Sequence, residues 1–139
     1  MGEVRTKVML ENIEDAALCR RGYLQSSEVR HSEIDALVDT GAVLVLLPQD
    51  LVEKLGLPMI GKVIVCLADD TKIELQKANG LRLTIGDREM DTNCLVGPPQ
   101  CEPLIGQIVL EQLDLIVDPL KRKLTPRPES PFLPSLKLK

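Results

Sequence analysis

The chain has 139 residues, enough for one domain with one modest core. Its 44% hydrophobic content excludes a disordered chain, and a formal net charge of -4 with no basic stripe interleaved with aromatics leaves nucleic-acid binding without support. No apolar run reaches the roughly 18 residues of a membrane span and MGEVRTK has no signal-peptide core, so no membrane partner and a cytoplasmic location are expected.

Tyr23 and Phe132 are the only aromatics, so the core must be built from Leu, Val and Ile. Ten Pro and nine Gly favour short strands and turns. Residues 4–10 alternate as a strand, with Val4, Thr6, Val8 and Leu10 on one face. Gly2 and Thr6 also fit a loose myristoylation pattern, which the strand reading disfavours. "EDAALCRRGYL" fits a short helix ended by Gly22, inside a long excursion over residues 11–30. Residues 32–38 alternate again, with Ile34, Ala36 and Val38 sharing a face. Asp39, Thr40 and Gly41 close that strand as a turn. "PQDLVEKLG" then carries Pro48 at a helix start and Gly56 at its end.

Residues 63–67 and 72–76 flank "ADDT" and read as a hairpin tipped near Asp69 and Asp70. Residues 81–85 alternate strictly, Gly86-Asp87 fits a two-residue hairpin loop, and a return strand is predicted over 88–96. "GPPQCEP" is a rigid loop. Leu104 and Ile105 end a strand, Gly106 follows, a helix is predicted over 107–113, and a last strand begins at 115–117. From Thr125 the chain is rich in Pro, which predicts an extended tail with no packing of its own. Lys121, Arg122, Lys123, Lys137 and Lys139 make this end mildly basic, read as a solvated edge and tail.

Strands arrive as hairpins rather than as strand-helix-strand units. The expected fold is mostly β, a small closed barrel-like sheet with one or two short helices. Residues 1–124 are expected to form the single domain, with 11–30 as an insertion and 125–139 as the tail. Cys19, Cys66, Cys94 and Cys101 form no Cys-x-x-Cys pair, and His31 is the one histidine, an exposed strand-start residue. Neither a metal site nor a cofactor is expected, and the thiols are read as reduced and mostly in the core.

Asp39 is a carboxylate between apolar neighbours, Ala36 to Val38 before it and Ala42 to Leu44 after it. A charge in such a setting needs a partner. About 65 residues on comes a second marker, Leu104-Ile105-Gly106, before a helix. "ALVDTGA", this marker and the hairpin at 62–76 between them resemble the retropepsin-like aspartic proteases in order and spacing, over residues 30–120. The resemblance implies a retropepsin fold and a peptide or protein substrate. It places the catalytic loop on Asp39, Thr40 and Gly41, and substrate contacts on Ala42 and on the flap tip, Leu67, Ala68, Asp69, Asp70 and Thr71. Leu104, Ile105 and Gly106 would sit behind the loop.

Aspartic proteases activate water with two carboxylates that share one proton. This chain holds one Asp-Thr-Gly, since Asp91-Thr92-Asn93 lacks the glycine. The resemblance therefore implies a homodimer in which Asp39 faces Asp39 of the second copy. The Asp-rich flap tip and the excursion at 11–30 depart from the family pattern and leave open whether that excursion covers the cleft. They also leave two alternatives: a fold that binds peptides or dimerises with little chemistry, and a processing protease with one dedicated substrate. Taken alone, Asp39 also reads as an ordinary turn-forming residue, and Asp69 and Asp70 as hairpin-turn chemistry.

Overall fold

The computed structural model describes residues 3–138. Gly2, and with it the lipidation pattern, lies outside them. Nine strands and three short helices follow in the order β1 (Val4–Asn12), α1 (Ile13–Arg20), β2 (His31–Val38), β3 (Leu46–Pro48), α2 (Gln49–Leu55), β4 (Met59–Cys66), β5 (Lys72–Ile85), β6 (Arg88–Gly97), β7 (Leu104–Ile105), α3 (Gln107–Leu113), β8 (Leu115–Asp118) and β9 (Lys123–Pro126). One 3-10 turn, Ser26–Glu28, lies between α1 and β2.

The main sheet runs β1-β2-β7-β3-β6-β5-β4, and β5 also pairs with β1. Six strands thereby close a ring, while β4 hangs from β5 as the outer strand of a hairpin. The mostly-β, barrel-like architecture is the one expected. Alternation explains the closure: Val8, Leu10 and Ala36 are fully buried, and Leu81, Leu83 and Ile105 join them inside. Leu, Val and Ile fill the interior, as the shortage of aromatics requires.

Three elements differ from the sequence reading. The runs at 72–76 and 81–85 are one 14-residue strand, β5. Its pairing with β6 shifts between Ala78 and Leu81, where Gly80 takes φ 78°. Only glycine adopts that conformation freely, so the strand bends there and passes from hairpin into barrel without ending.

The tail also differs. Thr125 and Pro126 complete β9, which pairs with β8 in a separate two-stranded sheet. Asp114, the left-handed residue ending α3, ties down the segment beyond β9. Its carboxylate accepts from Arg127 Nε at 2.7 Å, from the Ser130 hydroxyl and from the Ser135 amide at 2.9 Å. These bonds hold its pKa well below the usual carboxylate range, the Arg127 bond contributing most. Arg88, buried at the start of β6, donates to the carbonyls of Leu113, Asp114 and Ser130 beneath the same segment. Anchors this polar leave no trace in hydrophobic periodicity.

The excursion at 11–30 is fastened to the barrel. Asn12 caps α1 by accepting from the Asp15 amide at 3.0 Å and donates to the Leu55 carbonyl at 2.8 Å. Asp15, 5% exposed, accepts two side-chain bonds and one backbone bond from Arg30. All of this happens at the His31 end of β2, whereas Asp39 follows the other end. Seven steps along β2 separate them by roughly 23 Å, so the excursion is anchored at the end of β2 away from Asp39. The thiols are less buried than expected: Cys94 alone is core, its pKa pushed up to about 12 by burial, while Cys66 is exposed.

Candidate functional site

β2 delivers its last residues into a crossing of backbone segments. It runs parallel to β7, pairing Leu37 with Leu104 and Val38 with Ile105. The Leu37 amide donates to the Pro103 carbonyl at 3.0 Å, and the Asp39 amide to the Ile105 carbonyl at 2.9 Å. Asp39 is therefore held from behind by the segment that carries the second marker.

The chain then turns sharply. The Ala42 amide donates to the Asp39 carbonyl at 3.1 Å, and the Gly41 amide donates to Asp39 Oδ1 at 3.0 Å. The second bond fixes the carboxylate against its own loop. It also explains Gly41, because a Cβ there would lie 3.3 Å from Asp39 Oδ1. Asp39 is half-buried; Thr40 and Gly41 are exposed.

α3 locks the other side of the loop. The Gln107 amide donates to the Ala42 carbonyl at 2.7 Å, and the Ile108 amide to the Val43 carbonyl at 3.0 Å. The first amides of a helix have no partner inside it, and here they take the loop's carbonyls. So close an approach requires Gly106: a Cβ there would lie 2.6 Å from the Leu44 carbonyl oxygen and 2.7 Å from the Val43 carbonyl. Ile105 is fully buried and Leu104 half-buried behind the loop.

The β4–β5 hairpin is closed at its tip by its own backbone. The Leu67 amide donates to the Thr71 carbonyl at 2.7 Å, and the Asp70 amide to the Leu67 carbonyl at 3.0 Å. Asp69 Oδ1 accepts from the Thr71 amide at 3.0 Å, and bonds from the Thr71 side chain and amide hold its pKa below the usual carboxylate range. Asp70 sits at φ 66°, where Asp is better tolerated than most residues. Leu67, Ala68, Asp69, Asp70 and Thr71 are all exposed.

Among the sequence-predicted residues, hydrogen bonds join Asp39 to Gly41, Ala42 and Ile105, and Gly106 packs against the Val43 and Leu44 backbone of the same loop. Among the described residues no hydrogen bond joins the hairpin tip to this loop. What the sequence reading missed is the part played by Val43. It is 67% exposed beside the loop, and its carbonyl anchors α3. The signal available was the glycine before a helix, which marks close backbone approach.

Two of the surface grooves formed by the described residues have volumes of about 370 and 440 Å³. The first is lined by Leu44, Asn93 and Ile108 among others, the second by Met9, Cys19 and His31 among others; neither touches Asp39. Asp39 thus lies outside both grooves of a single chain. Among the described residues no three His, Cys, Asp or Glu side chains are grouped to hold a metal, and no helix is long and apolar enough to cross a membrane.

A family description, "Aspartyl protease", matches residues 26–117. The match runs from the 3-10 turn to β8 and so contains the Asp39 loop, the β4–β5 hairpin and α3. A comparison with curated proteins found no match.

Proposed function

This chain belongs to the aspartyl protease family, and we propose that it is an endopeptidase whose catalytic pair is Asp39 from each of two copies. One observation carries the proposal: a half-buried carboxylate, clamped by Gly41 N–H at 3.0 Å, in a loop locked from behind by β7 and α3. Turn chemistry alone accounts for the Asp39–Gly41 bond but not for the clamp on the rest of the loop. With one Asp-Thr-Gly per chain and Asp39 outside both of the grooves described, a second copy would supply the second carboxylate and the facing wall.

The chemistry rests on a shared proton. Two carboxylates brought side by side hold one proton between them, because two adjacent negative charges are costly. The charged carboxylate takes a proton from water as the oxygen attacks the peptide carbonyl. The neutral one gives its proton to the carbonyl oxygen, forming a tetrahedral diol. Collapse of the diol returns a proton to the leaving nitrogen and breaks the C–N bond. No covalent enzyme intermediate forms. Thr40 is exposed and free to bond its counterpart across the twofold axis, with Gly41 admitting the close approach of the two loops. The β4–β5 hairpin would cover an extended substrate, with Ala42 and residues 67–71 touching it.

The test is cleavage of an unfolded protein from acid to neutral pH by the native chain and by Asp39→Asn, with sedimentation of both. Cleavage by the native dimer and none by the variant dimer is the expected result. Equal cleavage by both would refute the role of Asp39. A folded native dimer that cuts nothing would favour the second reading, a protease for one dedicated substrate, which the two carboxylates at the flap tip support by restricting what can lie beneath them.

A further inference from the structure

β4 ends the main sheet: β5 is its one neighbour there, and its other side is open. The pairing with β5 decides which backbone groups face that opening. At the hairpin tip the Leu67 amide donates to the Thr71 carbonyl at 2.7 Å, so Leu67 turns its backbone toward β5. Backbone direction alternates along a strand, and the register is unbroken from Cys66↔Lys72 to Gly61↔Lys77. Val65, Val63 and Gly61 therefore bond to β5, while Lys62, Ile64 and Cys66 direct their N–H and C=O groups outward. None of these outward groups has a hydrogen-bond partner among the described residues, and all three residues are exposed.

The side chains of this edge do not repel a further strand. Proteins commonly guard an open edge with charge. The one charged residue of β4 is Lys62, and its ammonium lies 3.2 Å from Glu74 of the same hairpin. Ile64 stands on the same face, 70% exposed, and is the most exposed apolar side chain of β4. Val63 and Val65 form the other face beside Leu75 and Ile73, their partners on β5. Two strands alone make a marginal sheet, and further strands that continue an apolar face stabilise it.

An open strand edge has one chemical complement, an extended backbone, and the chain carries such a strand itself. We propose that β4 pairs with β4 of a second copy, antiparallel about a twofold axis at Ile64. This register uses every outward group: Lys62 faces Cys66 of the second copy, Ile64 faces Ile64, and Cys66 faces Lys62, each pair exchanging two main-chain bonds. It sets Val63 against Val65, so that Leu75, Val63, Val65 and Ile73 run across four strands as one apolar row. It covers Ile64 with its own counterpart. A register centred on Lys62 would instead set two ammonium groups opposite each other. A foreign peptide could match the hydrogen bonds; the second copy matches the bonds and both faces in one register. The contact uses no residue of the Asp39 loop, so it is separate from the catalytic pairing and does not depend on it.

The test is sedimentation velocity of the full chain over a range of concentrations, native against Ile64→Lys. The native chain should show a reversible association step that the variant reaches only at about 100-fold higher concentration, because like charges then meet on the axis. Asp39→Asn should keep the step. The register is read separately, by cross-linking with oxidised glutathione in a Cys66→Ser chain. The two Ile64 Cα atoms would lie about 5.5 Å apart, within disulfide reach. Ile64→Cys should therefore cross-link two copies and Ile60→Cys should not, a readout that holds even where Ile64→Lys fails to fold. The proposal is overturned if Ile64→Lys associates as the native chain does, if Asp39→Asn abolishes the step, or if Ile60→Cys cross-links as readily as Ile64→Cys. A native chain with no such step also overturns it and leaves the edge to a foreign peptide.

Discussion

Replacing Gly106 by Ala tests the clamp behind Asp39, and the sign of the effect is itself the test. Gly106 has φ -95° and ψ -175°, an extended conformation open to any residue. With free space around it, Ala would restrict the unfolded chain and stabilise the fold by about 0.4–1 kcal/mol. The structure requires the opposite. The new Cβ would meet the Leu44 carbonyl oxygen at 2.6 Å and the Val43 carbonyl at 2.7 Å, and both obstacles are backbone. Relief needs the loop and α3 to separate by roughly 0.7 Å to reach ordinary contact. The Gln107–Ala42 and Ile108–Val43 bonds, now 2.7 and 3.0 Å, bridge that same gap and would stretch past good geometry. Two weakened backbone bonds at about 1 kcal/mol each, with an overpacking penalty of about 1–3 kcal/mol, give a loss of roughly 3 kcal/mol or more. In a chain of this size that lowers Tm by about 10 °C. With no Trp and a single Tyr, far-ultraviolet circular dichroism is the probe of choice. Cleavage should fall with it, since Asp39 rides on the displaced loop. A Gly106→Ala protein that melts within about 2 °C of the native one or higher, and cleaves equally well, would refute the clamp.

Gly41→Ala isolates geometry from stability: its Cβ would touch only Asp39 Oδ1, at 3.3 Å, so Tm should hold while misplacement of the carboxylate lowers kcat about tenfold or more; a kcat equal to native would show that this close contact does not matter. Arg88→Met removes a donor from three buried carbonyls, of which Asp114's keeps only the Arg127 amide, and should cost roughly 2–4 kcal/mol, read by urea denaturation, with the segment after Arg127 becoming open to added protease; an unchanged midpoint would mean the node bears little. Asp114 has a folded pKa held below its ordinary value of 3.8, so its stabilisation is complete above about pH 4 and is lost as pH falls toward the lowered value. Native Tm should therefore decline in acid, and Asp114→Asn should melt lower at neutral pH with a shallower decline, part of the slope remaining because Asp15 has the same sign; parallel curves for the two proteins would contradict this.

What the sequence disclosed and what it hid divide by the kind of physics involved. Alternation at 32–38 and 81–85, the Gly86-Asp87 turn and the 107–113 helix were legible because each is a local rule, written in adjacent residues. The register that closes the ring was not, since no residue of β1 announces that it pairs with β5 as well as β2. The hidden anchors share one character. Asn12 with Leu55, Asp15 with Arg30, and Asp114 with Arg127 and Ser130 are polar contacts between segments distant in sequence. Each looks like an ordinary surface residue in the sequence, and hydrophobic periodicity is blind to all of them. Asp39 was the exception because its own surroundings were anomalous, a carboxylate framed by apolar residues with a glycine two positions on. Asp114 shows the limit of that logic: it too has apolar neighbours, Leu113 before it and Leu115–Val117 after it, but no glycine comes after it to mark a close approach. The distinction between the two aspartates therefore lay in the glycines. Gly41 and Gly106 report where another backbone or a carboxylate must come within contact, and such places are where a fold positions a reacting group.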